Sequence, residues 1–202
     1  MTRKAYDRAY FDRWYRHPHS RIWTPGEVAR KVRLALAAAE VVLGRPVRSV
    51  LDVGCGEGSW QRALARLRPL ATYTGVDPSA YVVRRFGKRR HIRQGSFGHL
   101  EQVRLRQAYD LIVACDVLHY LPAADVIRGL AFLAPRTRGV AYLEAYTSAD
   151  DISGDRTGMQ RRSPAAWRRM MRAAGFLACG LHLYVSAPIA GDLVALERPP
   201  ET

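Results

Sequence analysis

The feature that most constrains the fold is a glycine-rich turn directly after a short apolar segment. Residues 50–58 read Val-Leu-Asp-Val-Gly-Cys-Gly-Glu-Gly, so an apolar run enters a turn with three alternating glycines. Trp60, Ala63, Leu64 and Leu67 then recur at helical spacing. Glycine suits such a turn because the backbone bends sharply and approaches a ligand where a Cβ atom would clash. The segment therefore predicts a strand, a ligand-binding turn and a helix.

The rest of the chain continues this alternation of apolar strands and amphipathic helices. Thr24-Pro25-Gly26-Glu27 reads as a capping box that opens a helix ending at Gly44. Further helices are predicted over 78–86, closed by Gly87, and over 126–134 and 163–174. Strands are predicted at 47–53, 71–76, 91–94, 111–115, 140–145, 176–185 and 192–196. The pattern predicts one α/β domain with a doubly wound, seven-stranded, mostly parallel sheet and an antiparallel last strand.

A carboxylate stands at the end of the second predicted strand. Asp77 follows Gly54 by 23 residues and precedes Pro78. Ligands of open α/β sheets bind at the carboxyl edge, where a carboxylate at this spacing accepts the ribose hydroxyl hydrogens of an adenosine. A plain helix N-cap before Pro78 is the structural alternative.

Two residues of the turn disfavour a dinucleotide and hence an NAD-dependent dehydrogenase. The dinucleotide fingerprint requires a glycine where this chain has Ser59. Glu57 also places a carboxylate at the helix start, where a pyrophosphate would bind. A positively charged sulfonium cofactor meets no such conflict.

At these segments the chain resembles the class I S-adenosylmethionine-dependent methyltransferases. Residues 51–58 look like the first motif of that family and residues 75–79 look like its second. Residues 94–97 stand where the family reads the adenine, and residues 109–121 look like its fourth-strand region. The resemblance implies a Rossmann-like fold, S-adenosylmethionine as cofactor, and methyl transfer as the reaction.

The resemblance also implies roles for individual residues. Asp52 would position the ammonium group of the cofactor, Asp77 would hold the ribose, and Ser96 and Phe97 would flank the adenine. Ser96 departs from the acidic residue that many members carry, and a hydroxyl accepts more weakly. The predicted cofactor-binding set is Tyr10, Trp14, Asp52, Gly54, Cys55, Gly56, Asp77, Pro78, Ser96, Phe97, Asp116 and Val117.

His119 and Glu144 are the candidate catalytic residues. His119 stands about one helical turn after Asp116, which follows the fourth strand. A neutral imidazole there can accept the proton of a hydroxyl or amine nucleophile. Glu144 closes the fifth strand. Packing of His119 and an ion pair for Glu144 are the structural alternatives, and alignment of the reactants alone can drive methyl transfer without a base.

An aromatic stripe marks the N-terminal segment. Tyr6, Tyr10 and Trp14 recur at helical spacing, with Phe11 and Tyr15 beside them. The stripe predicts either a lid that closes over the cofactor or an amphipathic helix that docks on the domain.

The chain is expected to divide into three parts. These are a helical lid segment at 1–24, a methyltransferase domain that binds S-adenosylmethionine at 25–198, and a frayed tail at 199–202. The irregular stretch 147–162 is long for a loop, so we expect a second mobile segment on the opposite side of the cofactor mouth.

The net charge of +14 bears on the acceptor. All but three of the 32 basic residues are arginines. Attraction to nucleic acid or an anionic substrate is one explanation; a GC-rich genome that replaces lysine by arginine is the other, and we favour it because no basic cluster is interleaved with aromatics. A single domain leaves little room for an added docking module, so the favoured acceptor is a small molecule with a hydroxyl or amine. An RNA methyltransferase and a catalytically silent cofactor-binding partner protein are the alternatives.

The sequence also predicts where the protein works. Its longest apolar run falls far short of the ~20 residues of a membrane span, and its first residues lack the apolar core of a secretion signal. Cys55, Cys115 and Cys179 are scattered, and the six histidines lack metal-ligand spacing. We therefore expect a cytoplasmic, bacterial protein without a bound metal or a membrane partner.

Overall fold

The fold is organised around a seven-stranded sheet. A computed structural model describes residues 4–17, 19–152 and 154–193. The strands are β1 (Ser49–Val53), β2 (Thr72–Asp77), β3 (Ile92–Gln94), β4 (Tyr109–Ala114), β5 (Thr137–Leu143), β6 (Phe176–Gly180) and β7 (Leu183–Ser186). Their order is β3-β2-β1-β4-β5-β7-β6, and β7 pairs antiparallel with both neighbours while the other pairs are parallel. The predicted sheet is confirmed.

Helices cover both faces of this sheet. They are α1 (Arg8–Phe11), α2 (Pro25–Leu43), α3 (Ser59–Leu67), α4 (Ala80–Arg90), α5 (Ala123–Leu133), α6 (Pro164–Ala173) and α7 (Ala187–Ala190). Alternate residues of one strand face opposite cores: Val50 packs with α2 and α3, whereas Leu51 packs with α5 and α6. The central strand β4 is buried along its whole length, as a doubly wound sheet requires.

The long helix α2 begins and ends as its sequence predicts. The Thr24 hydroxyl accepts the Glu27 backbone N–H at 3.2 Å, and the Glu27 carboxylate accepts the Thr24 backbone N–H at 2.7 Å. The helix ends at Gly44, whose φ of +61° lies in the left-handed region. None of the helices in the described ranges has the length and apolar character that crossing a bilayer requires.

Helix α4 extends past the predicted stop at Gly87. It runs to Arg90 and ends at His91, which has a φ of +53°. Gly87 lies inside the helix and allows a close approach instead, because a Cβ atom there would lie 3.0 Å from the Ile92 carbonyl oxygen. The prediction took this glycine for a helix cap, whereas its role is packing against β3.

The C-terminal strands also differ from the prediction. The predicted single strand 176–185 is a hairpin, β6 and β7, that turns at Leu181 and His182 with φ of +50° and +65°. Positive φ at both turn residues matches the tight hairpin turns, but leucine and histidine carry no sequence signal for them. Asp192 and Leu193 are not in a strand. The remainder of the predicted strand 192–196 and the predicted tail 199–202 lie outside the described residues.

Candidate cofactor and acceptor site

The glycine turn leaves β1 at the carboxyl edge of the sheet and leads into α3. Gly54, Gly56 and Gly58 all have positive φ, at +74°, +51° and +74°. A Cβ atom on Gly54 would lie 2.6 Å from Cγ2 of Val117, so the segment after β4 packs directly on the turn. The turn therefore needs glycine at Gly54 for conformation and for space.

Asp77 ties the end of β2 to this turn. Its Oδ2 accepts the backbone N–H of Gly56 at 2.8 Å, and its Oδ1 accepts the backbone N–H of Ser79 at 2.9 Å. The side chain is buried, and burial raises its pKa to about 6 although both hydrogen bonds favour the charged form. Pro78, beside it, is exposed.

Asp52 is a second buried carboxylate on the adjacent strand. Its Oδ2 accepts the Tyr73 hydroxyl at 2.7 Å, and burial raises its pKa to about 7, with the nearby Asp77 acting in the same direction. The Cys55 side chain points into the fold, because a Cβ atom on Gly75 would lie 2.8 Å from its Sγ. Two poorly solvated carboxylates beside a glycine turn suit a ligand that carries positive charge and hydroxyl groups.

Asp116 and His119 form a pair just after β4. Asp116 adopts a φ of +60°, and burial, followed by the nearby Glu144, raises its pKa to about 7. The His119 Nε2 lies 3.4 Å from the Asp116 Oδ1 and forms no hydrogen bond to it. A left-handed backbone at a non-glycine residue is strained and is common at functional sites.

His119 is fully buried, unlike the open imidazole that its predicted role as a base suggests. Its ring lies 4.2 Å from that of Tyr120 and 5.1 Å from that of Tyr146, measured between centroids. The Nδ1 atom accepts the Tyr146 backbone N–H at 3.5 Å. Burial lowers the pKa of His119 to about 4, and the charge of Lys4 adds to this. The imidazole is therefore neutral at physiological pH, but it is a weak base.

Glu144 is paired with Lys31, a residue of α2 that no sequence motif singles out. The Lys31 Nζ lies 2.6 and 2.8 Å from the two carboxylate oxygens, and it stands 3.2 Å from the ring centroid of Trp23. The Tyr142 hydroxyl also donates to the carboxylate at 2.8 Å. Although burial acts to raise the pKa of Glu144, Lys31 and Tyr142 hold it below its ordinary value. This ion pair is the structural alternative that the sequence left open.

The two residues predicted to flank the adenine differ in accessibility. The Phe97 ring lies in the core against α5, where a Cβ atom on Gly129 would lie 2.2 Å from it. Ser96 is half-buried and immediately precedes the short helical turn that starts at Phe97. A side-chain contact to a ligand is therefore open to Ser96, whereas Phe97 can offer only its backbone.

The aromatic stripe shifts by one residue within the N-terminal segment. After α1 the chain forms a π-helical turn over Asp12–Arg16, which adds a residue to the turn. Ring contacts of 5.1, 5.3 and 4.9 Å consequently connect Tyr6 to Tyr10, Tyr10 to Phe11, and Phe11 to Tyr15. Trp14 falls outside this series and packs on the Arg13 guanidinium.

Tyr15, rather than Trp14, reaches the glycine turn. Its hydroxyl lies 2.5 Å from the position a Cβ atom of Gly56 would take. Arg16 next to it forms an ion pair with Glu57. Because Arg16 offsets its charge, Glu57 does not by itself exclude a pyrophosphate. Ser59, where a dinucleotide fingerprint requires glycine, still disfavours NAD.

The two segments expected on opposite sides of the mouth contact each other. Lys4 of the N-terminal segment forms an ion pair with Asp155 of the loop 147–162. The loop is anchored further by the Gln160 backbone N–H, which donates to the His119 carbonyl at 2.7 Å, and by Arg162, which donates to the Leu121 carbonyl at 2.6 Å. The N-terminal segment and the loop 147–162 therefore lie together near the end of β4 and not on opposite sides of the site.

Comparison with known proteins identifies the family. A family model described as a methyltransferase domain matches residues 20–178. This chain belongs to that family. The match spans most of the sequence, from before α2 into β6, and the predicted methyltransferase family is confirmed.

Solved structures show the same fold at low sequence identity. A SAM-dependent methyltransferase from Archaeoglobus fulgidus is 14% identical with a TM-score of 0.62, over 84% of this chain and 73% of that one. Magnesium protoporphyrin IX methyltransferase from Synechocystis with bound SAH is 20% identical with a TM-score of 0.58, over 84% and 85% of the two chains. Human N-acetylserotonin methyltransferase in complex with SAM is 17% identical with a TM-score of 0.52, over 76% and 51%. The predicted class I fold is confirmed.

A curated relative covers a smaller part. An uncharacterized protein of Synechococcus is 36% identical over 117 residues, which are 54% of this chain. The matched region is 27% of the relative's length, so this chain spans only a fraction of that protein.

Proposed function

We propose that this methyltransferase transfers a methyl group from S-adenosylmethionine to a hydroxyl or amine of a small-molecule acceptor. The observation that carries the proposal is the link between Asp77 and Gly56, which joins the predicted ribose-binding carboxylate to the predicted methionyl-binding turn. An NAD-binding fingerprint would need a glycine at Ser59, which this turn lacks.

The residues around the turn fit this cofactor. Gly54 and Gly56 form a cradle without side chains, Asp52 would position the cofactor's ammonium group, and Asp77 keeps free lone pairs for ribose hydroxyls. S-adenosylmethionine, when bound, supplies a methyl group made electrophilic by a sulfonium. The buried carboxylates of Asp52 and Asp77 would offset the positive charge of the ligand, and that charge would lower their pKa values.

A small acceptor follows from how the site is covered. Tyr15 lies across Gly56, and the Tyr6 carbonyl accepts the Ser79 hydroxyl at 2.5 Å, so the N-terminal segment sits over the turn. The segment acts as a lid that excludes water and bulky acceptors. Two proteins of similar fold are named for small substrates, magnesium protoporphyrin IX and N-acetylserotonin. RNA is the alternative acceptor, because α4 carries exposed basic residues that could bind phosphates: Arg84, Arg85, Lys88 and Arg89.

The side chains beside the acceptor take distinct roles in this proposal. Asp116 accepts the acceptor's proton, because its carboxyl lies at the carboxyl edge of β4 and its pKa of about 7 suits a base at neutral pH. His119 lies beside that carboxylate, with its Nε2 3.4 Å from Oδ1 and no hydrogen bond between them, so its role in this proposal is to pack against the site. Glu144 binds Lys31 through both carboxylate oxygens, so its role in this proposal is structural.

Transfer of labelled methyl groups tests the proposal. The protein is incubated with methyl-labelled S-adenosylmethionine and, in separate reactions, with the small-molecule fraction of a cell extract and with total RNA. Label in small molecules, lost in Asp116→Asn and kept in the exposed-site control Asp151→Asn, supports it. Label in RNA alone contradicts the small acceptor. Cofactor binding without transfer to either fraction supports the catalytically silent alternative.

A further inference from the structure

The ammonium group of Lys4 lies in a cage of aromatic rings. Its Nζ stands 3.7 Å from the ring centroid of Tyr120, 5.2 Å from that of Tyr10 and 5.3 Å from that of Tyr6. Asp155 completes the cage with an ion pair to the same nitrogen. Three ring faces and a carboxylate around one cation are the elements by which proteins recognise alkylammonium groups.

The carboxylate of the cage is held in place before any ligand arrives. The Asp155 side chain is 4% exposed, and its Oδ1 accepts the Thr157 backbone N–H at 2.9 Å. The Tyr120 hydroxyl donates to the Asp155 carbonyl at 2.7 Å, which fixes one ring against the loop. The cage is therefore built partly from the body of the protein, at Tyr120, and partly from the two covering segments.

The cage adjoins the residues placed around the acceptor. Tyr120 directly follows His119, and the Lys4 charge is near enough to lower the pKa of both His119 and Asp116. A cation in the cage is thus close to the carboxylate that is proposed to take the acceptor's proton.

We propose that this cage is the subsite for an alkylammonium group of the acceptor, and that Lys4 occupies it in the absence of acceptor. The inference rests on the proposed small-molecule methyl transfer and names the acceptor's class, a cationic amine. The caged ammonium is a handle and not the nucleophile, because a protonated nitrogen has no lone pair to attack with. A hydroxyl or a second, neutral amine of the same molecule is then the group that is methylated.

Binding of n-butylammonium, which matches the lysine side chain, tests the subsite. Calorimetric titration should show at least tenfold tighter binding to Lys4→Ala than to wild type, because the alanine leaves the cage open. In the double variant Lys4→Ala/Asp155→Asn, this increase in n-butylammonium affinity should be abolished. The neutral isostere 1-butanol should bind Lys4→Ala at least tenfold more weakly than n-butylammonium does.

Two controls distinguish binding in an emptied cage from binding caused by loosening of the N-terminal segment. Lys4→Met also breaks the ion pair but keeps a long side chain in the cage, so it should show less than a third of the gain; Lys88→Ala removes an exposed lysine and should show none. Thermal unfolding of each variant verifies the fold. No gain in affinity in a folded Lys4→Ala, an equal gain in Lys4→Met, or equal binding of 1-butanol overturns the subsite. Binding of S-adenosylhomocysteine, measured on the same samples, tests the proposed function separately.

Discussion

The Asp77 carboxylate accepts the backbone N–H of Gly56 at 2.8 Å, which joins the end of β2 to the turn after β1. Two sequence motifs 21 residues apart are thereby one structural unit. A ligand that uses the turn lies within reach of this carboxylate, and any change to Asp77 affects both the ligand and the turn.

The first prediction follows from that double role. Asp77→Ala should weaken binding of S-adenosylhomocysteine by about 2–4 kcal/mol, because two ribose hydroxyls lose a charged acceptor. Calorimetric titration measures the affinity, and Asp151→Asn, at an exposed position, is the matched control. The thermal midpoint of the same variant should also fall, because the Gly56 and Ser79 N–H groups lose their acceptor. Unchanged affinity in a folded variant would remove Asp77 from the cofactor site.

The second prediction concerns stability and pH without cofactor. The pKa of Asp52 is raised from 3.8 to about 7, so between these pH values the folded protein binds more protons than the unfolded chain. The contribution of Asp52 to the free energy of unfolding is therefore fully present at low pH and is lost as the pH rises through about 7.

Asp52→Asn tests this linkage by removing the titration. Relative to wild type, the variant should gain about 2–4 kcal/mol of stability between pH 4.5 and pH 8, measured by denaturant unfolding at each pH. The exposed-site variant Asp151→Asn should follow the wild-type profile. If Asp52→Asn and the wild type show the same change in the free energy of unfolding between pH 4.5 and pH 8, Asp52 does not titrate in this range.

The third prediction concerns the ion pair between Lys31 and Glu144. Lys31→Met should destabilise the fold by about 3–5 kcal/mol, because it leaves the Glu144 carboxylate buried without its cation. The double variant Lys31→Met/Glu144→Gln should recover at least half of that loss, and Lys88→Met should cost little. Chemical denaturation measures all three. If the free energy of unfolding of Lys31→Met lies within about 1 kcal/mol of the wild-type value, solvent reaches Glu144 and the ion pair adds little to stability.

The fourth prediction concerns the protonation of His119. Burial and Lys4 lower its pKa from 6.5 to about 4, so its imidazole signals in NMR spectra should not titrate between pH 5.5 and 8. Lys4→Met should raise the midpoint, because the neighbouring positive charge is gone. A midpoint at 6.5 or above would show a solvated ring and would favour His119 as the base over Asp116.

The parts of the site that the sequence predicts are those fixed by local chemistry. Thr24 and Glu27 form a capping box within four residues, and Gly54 and Gly56 adopt the positive φ that their turn requires. The position of Asp77 follows from strand length alone, because parallel strands end at one edge.

The remaining parts depend on contacts between distant segments. Lys31 reaches Glu144 across 113 residues, and no spacing rule links them. A π-helical turn moves the stripe from Trp14 to Tyr15, although the residue types give no signal for it. Lys4 and Asp155 meet only because the N-terminal segment and the loop fold over the same strand end.

If the glycine turn and Asp77 hold S-adenosylmethionine, the protein binds the product cofactor without any acceptor, and calorimetric titration measures that binding. Wild-type protein is titrated in a calorimeter with S-adenosylhomocysteine and, in a matched experiment, with NAD. We expect saturable binding of S-adenosylhomocysteine at one site per chain and no heat from NAD. Binding of NAD without binding of S-adenosylhomocysteine would contradict it.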